Sequence, residues 1–259
     1  MIRMIAWAML PVALLCGNVL AEEAKAETKD ADVKQEEAAE KGTEEVLKKL
    51  DFPLRSNVGR NHDDFIISKH WCETNFGGTG GIRIKEGVAY LDQGNDMTGV
   101  TWRGPLVRMN YEITLDAQRV AGDDFFCGLT FPYGEDPCTF VMGGWGGTVV
   151  GLSSLDYSDA YNNETARFVT FEKGRWYRVR VRATKAKIEA WIDDKKLVDV
   201  KTKGREIGIR WEVEQSTPLG VATWRTTGAL RDVQFRVLSK KEVQELEAEH
   251  AQEEKAEDE

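Results

Sequence analysis

The sequence predicts an all-β protein, an antiparallel β-sandwich of the jelly-roll type with short helical tails. Residues 51–238 contain many short segments in which apolar and polar side chains alternate, which is the period of a strand with one buried face. Clusters of Gly, Asp and Lys separate these segments where turns are needed. No amphipathic helical pattern interrupts them, so antiparallel pairing within one domain is predicted.

The first clear strands form a hairpin. Ile82 and Ile84 precede a turn that ends at Gly87, after which an apolar run resumes at residues 88–91. Further strands are predicted at residues 99–102, 111–115, 125–131 and 139–142.

The most regular alternation lies at residues 176–182. Tyr177, Val179 and Val181 share one face of this predicted strand, and three arginines share the other. One face is therefore expected to be buried and the other solvated. A second hairpin is predicted at residues 188–200, and two closing strands at residues 220–224 and 230–238.

Residues 1–21 have the features of a secretory signal peptide. Arg3 supplies a positive charge, residues 5–15 form a short apolar run, and Ala21 ends a possible cleavage site. A membrane anchor is the competing interpretation, but Pro11 interrupts the run, which is shorter than the ~20 residues that span a bilayer. We therefore expect a periplasmic, cell-surface or secreted protein with no integral membrane segment after signal cleavage.

The formal net charge of −9 belongs to the tails. Residues 22–50 are predicted to be an acidic, helix-prone spacer and residues 239–259 an acidic C-terminal tail, because both are rich in Glu, Ala and Lys and poor in apolar side chains. The β-sandwich domain between them, residues 51–238, holds 25 acidic and 25 basic residues. It lacks the basic excess that binds phosphate backbones, so no nucleic-acid binding is expected.

Two cysteines flank a predicted hairpin loop at residues 131–137. A symmetric turn would not place Cys127 and Cys138 directly opposite one another, so a disulfide bond between them needs favourable geometry, and two buried thiols are the alternative. The three histidines show no zinc-ligand spacing with the cysteines.

Several segments carry a family resemblance. The sequence GRWYRVRV at residues 174–181 is followed by IEAWIDD at residues 188–194 and VDV at residues 198–200. NYEI at residues 110–113 and LRDVQF at residues 230–235 fit the same pattern. Together they resemble 3-keto-disaccharide hydrolase-like domains, which belong to the concanavalin A-like lectin and glucanase superfamily.

The resemblance implies a concanavalin A-like sandwich, carbohydrate as the partner, no cofactor and, if the domain is an enzyme, glycoside hydrolysis of 3-keto-glycosides. Trp176 and Trp191 are expected to fill the core between the sheets. The sequence has no Glu-x-Asp-x-x-Glu strand, so the paired-acid retaining mechanism of the superfamily's endoglucanases is not expected.

The most unusual segment is the glycine run at residues 143–147, which surrounds Trp145. Glycines let the backbone approach a ligand closely, and a tryptophan among them can stack on a sugar ring. The alternative is a glycine-rich hairpin whose tryptophan fills the edge of the core. The predicted ligand-binding residues are Trp145, Trp102, Tyr157, Asn163 and Tyr133.

The acidic loop that follows has three possible roles. Asp156, Asp159 and Asn162 offer oxygen ligands that could hold calcium, and together with Glu164 they could instead bond sugar hydroxyls or simply solvate a surface loop. Calcium is therefore possible.

The predicted catalytic residues are Asp124, Asp156 and Glu164, since a carboxylic acid with a raised pKa can act as a general acid and a neighbouring carboxylate as a base. Asp124 lies at the end of a predicted strand, where an acidic residue is often only a turn former.

The sequence thus predicts an exported carbohydrate-binding or carbohydrate-processing β-sandwich, with enzymatic activity left open. The alternative is a non-catalytic protein-interaction or scaffold module of the cell envelope, suggested by the charged tails.

Overall fold

The computed structural model describes residues 70–257 and contains two antiparallel sheets of seven strands each. The strands are β1 (Trp71–Glu73), β2 (Ile82–Lys85), β3 (Val88–Leu91), β4 (Met97–Trp102), β5 (Tyr111–Ala121), β6 (Cys127–Tyr133), β7 (Asp136–Gly143), β8 (Val149–Ser153), β9 (Arg167–Phe168), β10 (Trp176–Ala183), β11 (Lys187–Ile192), β12 (Lys195–Lys201), β13 (Leu219–Trp224) and β14 (Thr227–Val237). The predicted all-β sandwich is confirmed.

We call the two layers the front sheet and the back sheet. The front sheet has the strand order β1-β4-β13-β6-β7-β8-β9, and the back sheet has the order β12-β11-β10-β5-β14-β3-β2. One continuous apolar core lies between them and takes side chains from both. Fully burying each large apolar side chain stabilises the fold by about 1.5–3 kcal/mol.

Strand β10 shows how the alternation builds this core. Tyr177, Val179 and Val181 are buried in it, as predicted. Arg178, Arg180 and Arg182 lie between them in sequence and point away from it, toward the outer face of the back sheet. The predicted strands are present, although several extend further than the alternation indicates. For example, β6 and β7 continue almost to their tight turn at Gly134.

Two long connections cover the outer face of the front sheet. Residues 154–175 run from β8 through β9 to β10, and residues 202–218 run from β12 to β13. The second contains a 3-10 helix, Trp211–Ser216, whose Val213 packs against Met97 and Ala222 of the front sheet. A short helical turn, Gly144–Gly147, joins β7 to β8.

The predicted helical C-terminal tail is present as a helix at Lys240–Glu257. Its first turn begins with a capping box, in which the Ser239 backbone N–H donates to the Glu242 carboxylate and the Glu242 N–H donates to the Ser239 hydroxyl. Glu242 also pairs with Arg236 of β14, and Glu253 pairs with Lys187 of β11. The helix is therefore held against the outer face of the back sheet.

The two hairpin cysteines are buried thiols. Cys127 lies opposite Met142 and Cys138 lies opposite Phe131, so the two are four residues out of register across the β6–β7 pair. That offset corresponds to roughly 13 Å along the strands, far beyond the reach of a disulfide. Burial raises the pKa of each thiol to about 12.

The predicted signal peptide and acidic spacer, residues 1–50, lie outside the described residues. Within residues 70–257, no helix is long and apolar enough to cross a membrane.

Candidate functional site

The outer face of the front sheet is built from small residues. Glycines occupy outward positions on four strands that alternate with core residues: Gly99, Gly128, Gly151 and Gly220. At two of these positions, Gly151 and Gly220, a side chain would collide with the covering segments. A Cβ on Gly220 would lie 2.6 Å from the Ser216 carbonyl oxygen, and one on Gly151 would lie 2.8 Å from the Thr165 hydroxyl. The glycines thus let the covering loops lie directly on the sheet.

A cavity of about 200 Å³, here called the Trp145 cavity, lies between the sheet, the covering segment 202–218 and the turns that carry Asp124 and Trp145. Its walls are mainly apolar, with a few polar groups placed among them. It is lined by Met97, Asp124, Phe125, Gly128, Thr139, Val141, Trp145, Ser153, Arg210, Glu212, Val213 and Trp224. An apolar pocket with a small number of oriented polar groups is the usual form of a small-molecule site.

Asp124 and Trp145 are brought together at this cavity. The Asp124 Oδ2 accepts a hydrogen bond of 3.2 Å from the backbone N–H of Gly146, and its Oδ1 accepts one of 2.7 Å from the Phe125 N–H. Trp145 has a φ of 49°, in the left-handed region that non-glycine residues rarely adopt, and its side chain is 39% exposed. The turn therefore holds Trp145 at the cavity that Asp124 also lines, with part of the residue open to solvent.

Arg119 supports both residues from below. It is buried, and its Nη2 donates to the carbonyl oxygens of Gly147, Asp124 and Gly143 at 2.9, 3.1 and 3.2 Å. Its guanidinium also lies over the Phe126 ring, 5.0 Å from the centroid. Burial lowers the pKa of Arg119.

The sequence contained a sign of this role that was missed. Arg119 continues the series Tyr111, Ile113, Leu115 and Ala117, whose members all face the core. An arginine at the next position of a buried series must find polar partners inside the protein.

An ion pair forms another wall of the cavity. Arg210 donates from Nε and Nη2 to the Glu212 carboxylate, and from Nη1 to Asp159 at 3.1 Å. Burial opposes ionisation of Glu212, yet the hydrogen bond from Arg210 lowers its pKa overall. Three of the five guanidinium N–H groups are used in this way, which leaves two without a partner among the described residues.

Two hydroxyl groups lie on neighbouring strands at the cavity. Thr139 and Ser153 are opposite one another in the β7–β8 pair. The Thr139 hydroxyl bonds that of Thr130 at 2.9 Å, whereas the Ser153 hydroxyl is buried and has no hydrogen-bond partner in the part of the chain that the structure describes. A buried hydroxyl without a partner costs about 1–3 kcal/mol, which a ligand hydroxyl at this position would recover.

The other two predicted catalytic acids are paired with an arginine outside the cavity lining. Asp156 contacts Arg205 at 2.7 Å and Glu164 contacts the same arginine at 2.6 Å. The pKa of Asp156 is lowered mainly by a hydrogen bond from the Glu206 backbone N–H and, to a smaller extent, by the hydrogen bond from Arg205. Both carboxylates therefore tie the loop that follows β8 to the segment that precedes the 3-10 helix.

The predicted calcium ligands hold the same loop in shape. The Asp159 Oδ1 accepts hydrogen bonds from the backbone N–H groups of Tyr161 and Asn162 and from the Asn162 side-chain amide. Asp156 is engaged by Arg205, as described above. Within residues 70–257, no group of three or more His, Cys, Asp or Glu side chains is arranged to hold a metal ion. Calcium binding stays a prediction.

Of the predicted ligand-binding residues, Trp145 lines the cavity, whereas Tyr157 and Asn163 do not. Tyr157 is 88% exposed and lies outside the cavity lining. Asn163 is structural, because its amide donates to the carbonyls of Leu152, Ser158 and Asp159. Neither residue lines the Trp145 cavity.

Two further predicted ligand-binding residues, Trp102 and Tyr133, lie away from the Trp145 cavity. Trp102 is 2% exposed and belongs to the core, where its indole N–H donates to the Pro105 carbonyl at 3.1 Å. Tyr133 is partly buried at the far end of β6, where its hydroxyl bonds Thr184 and Thr202. Neither side chain lines the cavity. Trp102 lies on the side of β4 that faces the core, and Tyr133 lies beyond the part of β6 that forms the cavity.

Trp176 and Trp191 also differ from expectation. They lie on the outer face of the back sheet, in phase with the arginines of β10, rather than in the core. The guanidinium of Arg231 lies 4.2 Å from the Trp176 ring centroid, and that of Arg180 lies 3.9 Å from the Trp191 ring centroid. Cation–π contact replaces core packing for both rings.

A 3-keto-alpha-glucoside-1,2-lyase-like domain matches residues 85–238, which include the strands that form the cavity. The chain belongs to this family. The resemblance seen in the sequence is thereby confirmed. No curated protein matches the chain.

Several solved structures are similar to this member of the 3-keto-alpha-glucoside-1,2-lyase-like family. A carbohydrate-binding module from Bacillus subtilis is 10% identical over 64% of this chain and 95% of its own, with a TM-score of 0.46. A beta-1,3-glucanase from Mycobacterium marinum is 10% identical over 71% and 96%, with a TM-score of 0.45. A Bacillus subtilis protein of unknown function with a galectin-like fold is 13% identical over 72% and 95%, with a TM-score of 0.49. These values assign no function to the chain.

Proposed function

We propose that this domain binds a 3-keto-glucoside with one sugar ring in the Trp145 cavity and eliminates its aglycone. The observation that carries the proposal is the joint position of the Asp124 carboxylate and the Trp145 indole at one cavity, next to the buried Ser153 hydroxyl that has no partner among the described residues. Family membership supplies the substrate class.

The cavity has the chemistry that a sugar ring requires. A sugar ring has an apolar face that can lie on an aromatic side chain and hydroxyl groups around its edge that need hydrogen-bond partners. Trp145 offers the ring surface, and Ser153 and Asp124 offer polar partners. The volume of about 200 Å³ is below that of a typical drug-sized pocket and suits one ring.

In the proposed reaction, Asp124 is the base. The ketone at C3 of the sugar makes the proton at C2 acidic, and the Asp124 carboxylate removes it to give an enolate. The enolate then re-forms the C3 carbonyl as a C1–C2 double bond forms and the C1–oxygen bond breaks. The leaving oxygen takes the proton back from Asp124, so no water is consumed. This differs from the hydrolysis implied by the sequence resemblance.

Arg210 is the second participant. Its two N–H groups without a partner in the described residues can donate to the enolate oxygen as negative charge develops there. Glu212 keeps the guanidinium oriented. Asp156 and Glu164 are assigned a loop-tethering role through Arg205, which leaves Asp124 as the base.

The test is turnover and binding of a 3-keto-α-glucoside such as 3-keto-trehalose. We expect Asp124→Asn to retain binding and lose turnover by about 10²–10⁴-fold, the usual contribution of a general base. Trp145→Ala should weaken binding by about tenfold, which corresponds to about 1.4 kcal/mol. Trp176→Ala on the back sheet is the matched control and should leave both unchanged. Absence of binding in the wild-type protein, or unchanged binding in Trp145→Ala, would overturn the proposal.

Export is part of the same proposal and is supported by the signal-like residues 1–21. Expression of the full chain followed by cell fractionation tests it. The protein should be recovered outside the cytoplasm with about 21 residues removed, and recovery of the uncleaved chain in the cytoplasm would contradict it.

A further inference from the structure

A second cavity lies on the same face of the front sheet. It has a volume of about 620 Å³ and is here called the Trp211 cavity. Its lining includes Arg108, Pro132, Glu135, Ile209, Trp211 and Glu214. This volume is within the range of ligand pockets, and charged and apolar groups face it together.

The 3-10 helix and the two residues before it separate the two cavities. Arg210, Glu212 and Val213 line the Trp145 cavity, whereas Ile209, Trp211 and Glu214 line the Trp211 cavity. Sequence neighbours thus face opposite cavities. Because consecutive Cα atoms are about 3.8 Å apart, the two cavities adjoin one another across a single layer of chain.

The strands give the distance between them. Gly128 of β6 lines the first cavity and Pro132 of the same strand lines the second. Four residues at about 3.3 Å each separate the two by roughly 13 Å. A single sugar ring in the Trp145 cavity would leave the Trp211 cavity empty, while a linear glycan several rings long would reach both.

Trp211 is suited to hold such an extension. Trp211 is 78% exposed, whereas most tryptophans in residues 70–257 are packed in the core or beneath arginines. A tryptophan offers a large apolar ring face with a polar N–H at its edge, which suits it to lie against a sugar ring. Trp211 belongs to the 3-10 helix that separates the two cavities and it lines the second, so a ligand that extends over this helix from the first cavity would contact it.

We propose that the Trp211 cavity is a second carbohydrate subsite, which binds the rings beyond the one held at Trp145, so that the ligand is a linear oligosaccharide. The inference rests on the proposed function of the Trp145 cavity and specifies its ligand class. Trp211 is the stacking residue of the second subsite, and Arg108, Glu135 and Glu214 are its hydrogen-bonding groups.

Affinity as a function of chain length tests the proposal. The probes are maltose and maltotetraose, titrated calorimetrically into the wild-type protein and three variants. Wild type should bind maltotetraose about tenfold more tightly than maltose. Trp211→Ala should remove that gain and leave maltose affinity unchanged, whereas Trp145→Ala should weaken both ligands. Tyr157→Ala, which removes another exposed aromatic ring outside both cavities, should behave as wild type.

The outcomes separate the two proposals. If maltose binds in a Trp145-dependent manner but maltotetraose shows no gain, or keeps its gain in Trp211→Ala, the second subsite is overturned and the first stands. If neither glycan nor the 3-keto-glucoside binds, the proposed function itself fails. Because Trp211 is largely exposed, its replacement should leave the melting temperature within about 1 °C of wild type, so lost binding cannot be attributed to unfolding.

Discussion

The outer faces of the two sheets use the same strand geometry for opposite purposes. On the back sheet, long charged side chains pair with one another. Glu112 contacts Arg182 at 3.1 Å and Arg236 at 3.4 Å, and Asp116 contacts both Arg178 and Arg231 at 3.1 Å. On the front sheet, glycines and hydroxyl-bearing residues share the outward positions with apolar residues such as Met97 and Val141, and loops and cavities cover them.

The difference shows what makes one face of a sandwich receptive. A face whose outward side chains satisfy one another has no unmet hydrogen-bonding capacity and no room for a ligand. Small outward residues cannot bond one another across the face or fill the space above it. Covering segments therefore pack on such a face, and cavities remain where that packing is incomplete. The back sheet should therefore respond to mutation through stability, and the front sheet through binding.

The largest effect is expected from Arg119→Met, beneath the front sheet. The change leaves three carbonyl oxygens, two of them in buried hydrogen bonds, without their donor, so the free energy of unfolding should fall by about 3 kcal/mol and saccharide binding should be lost with it. Urea unfolding measures the first and calorimetric titration the second. Arg83→Met, in an exposed ion pair of β2, is the matched control and should cost less than about 1 kcal/mol. Full binding by a destabilised Arg119→Met would show that Arg119 does not position Asp124 and Trp145.

A smaller loss of stability is expected on the back sheet from Glu112→Gln. Its side chain is largely buried among three arginines, so the free energy of unfolding should fall by about 2 kcal/mol. Binding should not change. The control Asp96→Asn, in an exposed pair with Arg225, should stay within about 0.5 kcal/mol of wild type. A change in saccharide affinity in Glu112→Gln would break the division between the two faces.

The smallest effect is the difference between two glycine substitutions. Gly143 and Gly87 have φ values of 75° and 79°, so alanine costs about 1 kcal/mol of backbone strain at both. A Cβ at Gly143 would lie 2.3 Å from the Arg119 Nη2, whereas one at Gly87 would meet nothing within 4 Å. Gly143→Ala should therefore lower the free energy of unfolding by about 1 kcal/mol more than Gly87→Ala does, and it should also weaken saccharide binding. Equal losses in urea unfolding would argue against the Arg119 contact.

The sequence predicted the strands well because alternation is a local property. Tyr177, Val179 and Val181 reveal their face without knowledge of any partner. It also singled out Trp145 and Asp124, which the structure places at one cavity, since a glycine run and an acid at a strand end are visible locally.

The partners of side chains could not be predicted in the same way. In the sequence, Asp156 and Glu164 are only two carboxylates in a loop. Their partner Arg205 lies more than 40 residues away along the chain, so the ion pairs become visible only in the folded structure. Trp191 was predicted to lie in the core because it is large and apolar. The sequence does not show that Arg180 covers its ring on the outer face. The Trp211 cavity was missed for the same reason, since its walls come from β6, β7 and the segment before β13.

The offset of Cys127 and Cys138 makes the core indifferent to the redox state of its surroundings. Burial raises the pKa of each thiol to about 12, which disfavours the reactive thiolate at neutral pH. Register and burial thus protect both residues from pairing with each other and from attack by small oxidants. This β6–β7 hairpin should mature identically in a reducing cytoplasm and in an oxidising exterior, without help from a disulfide-forming catalyst.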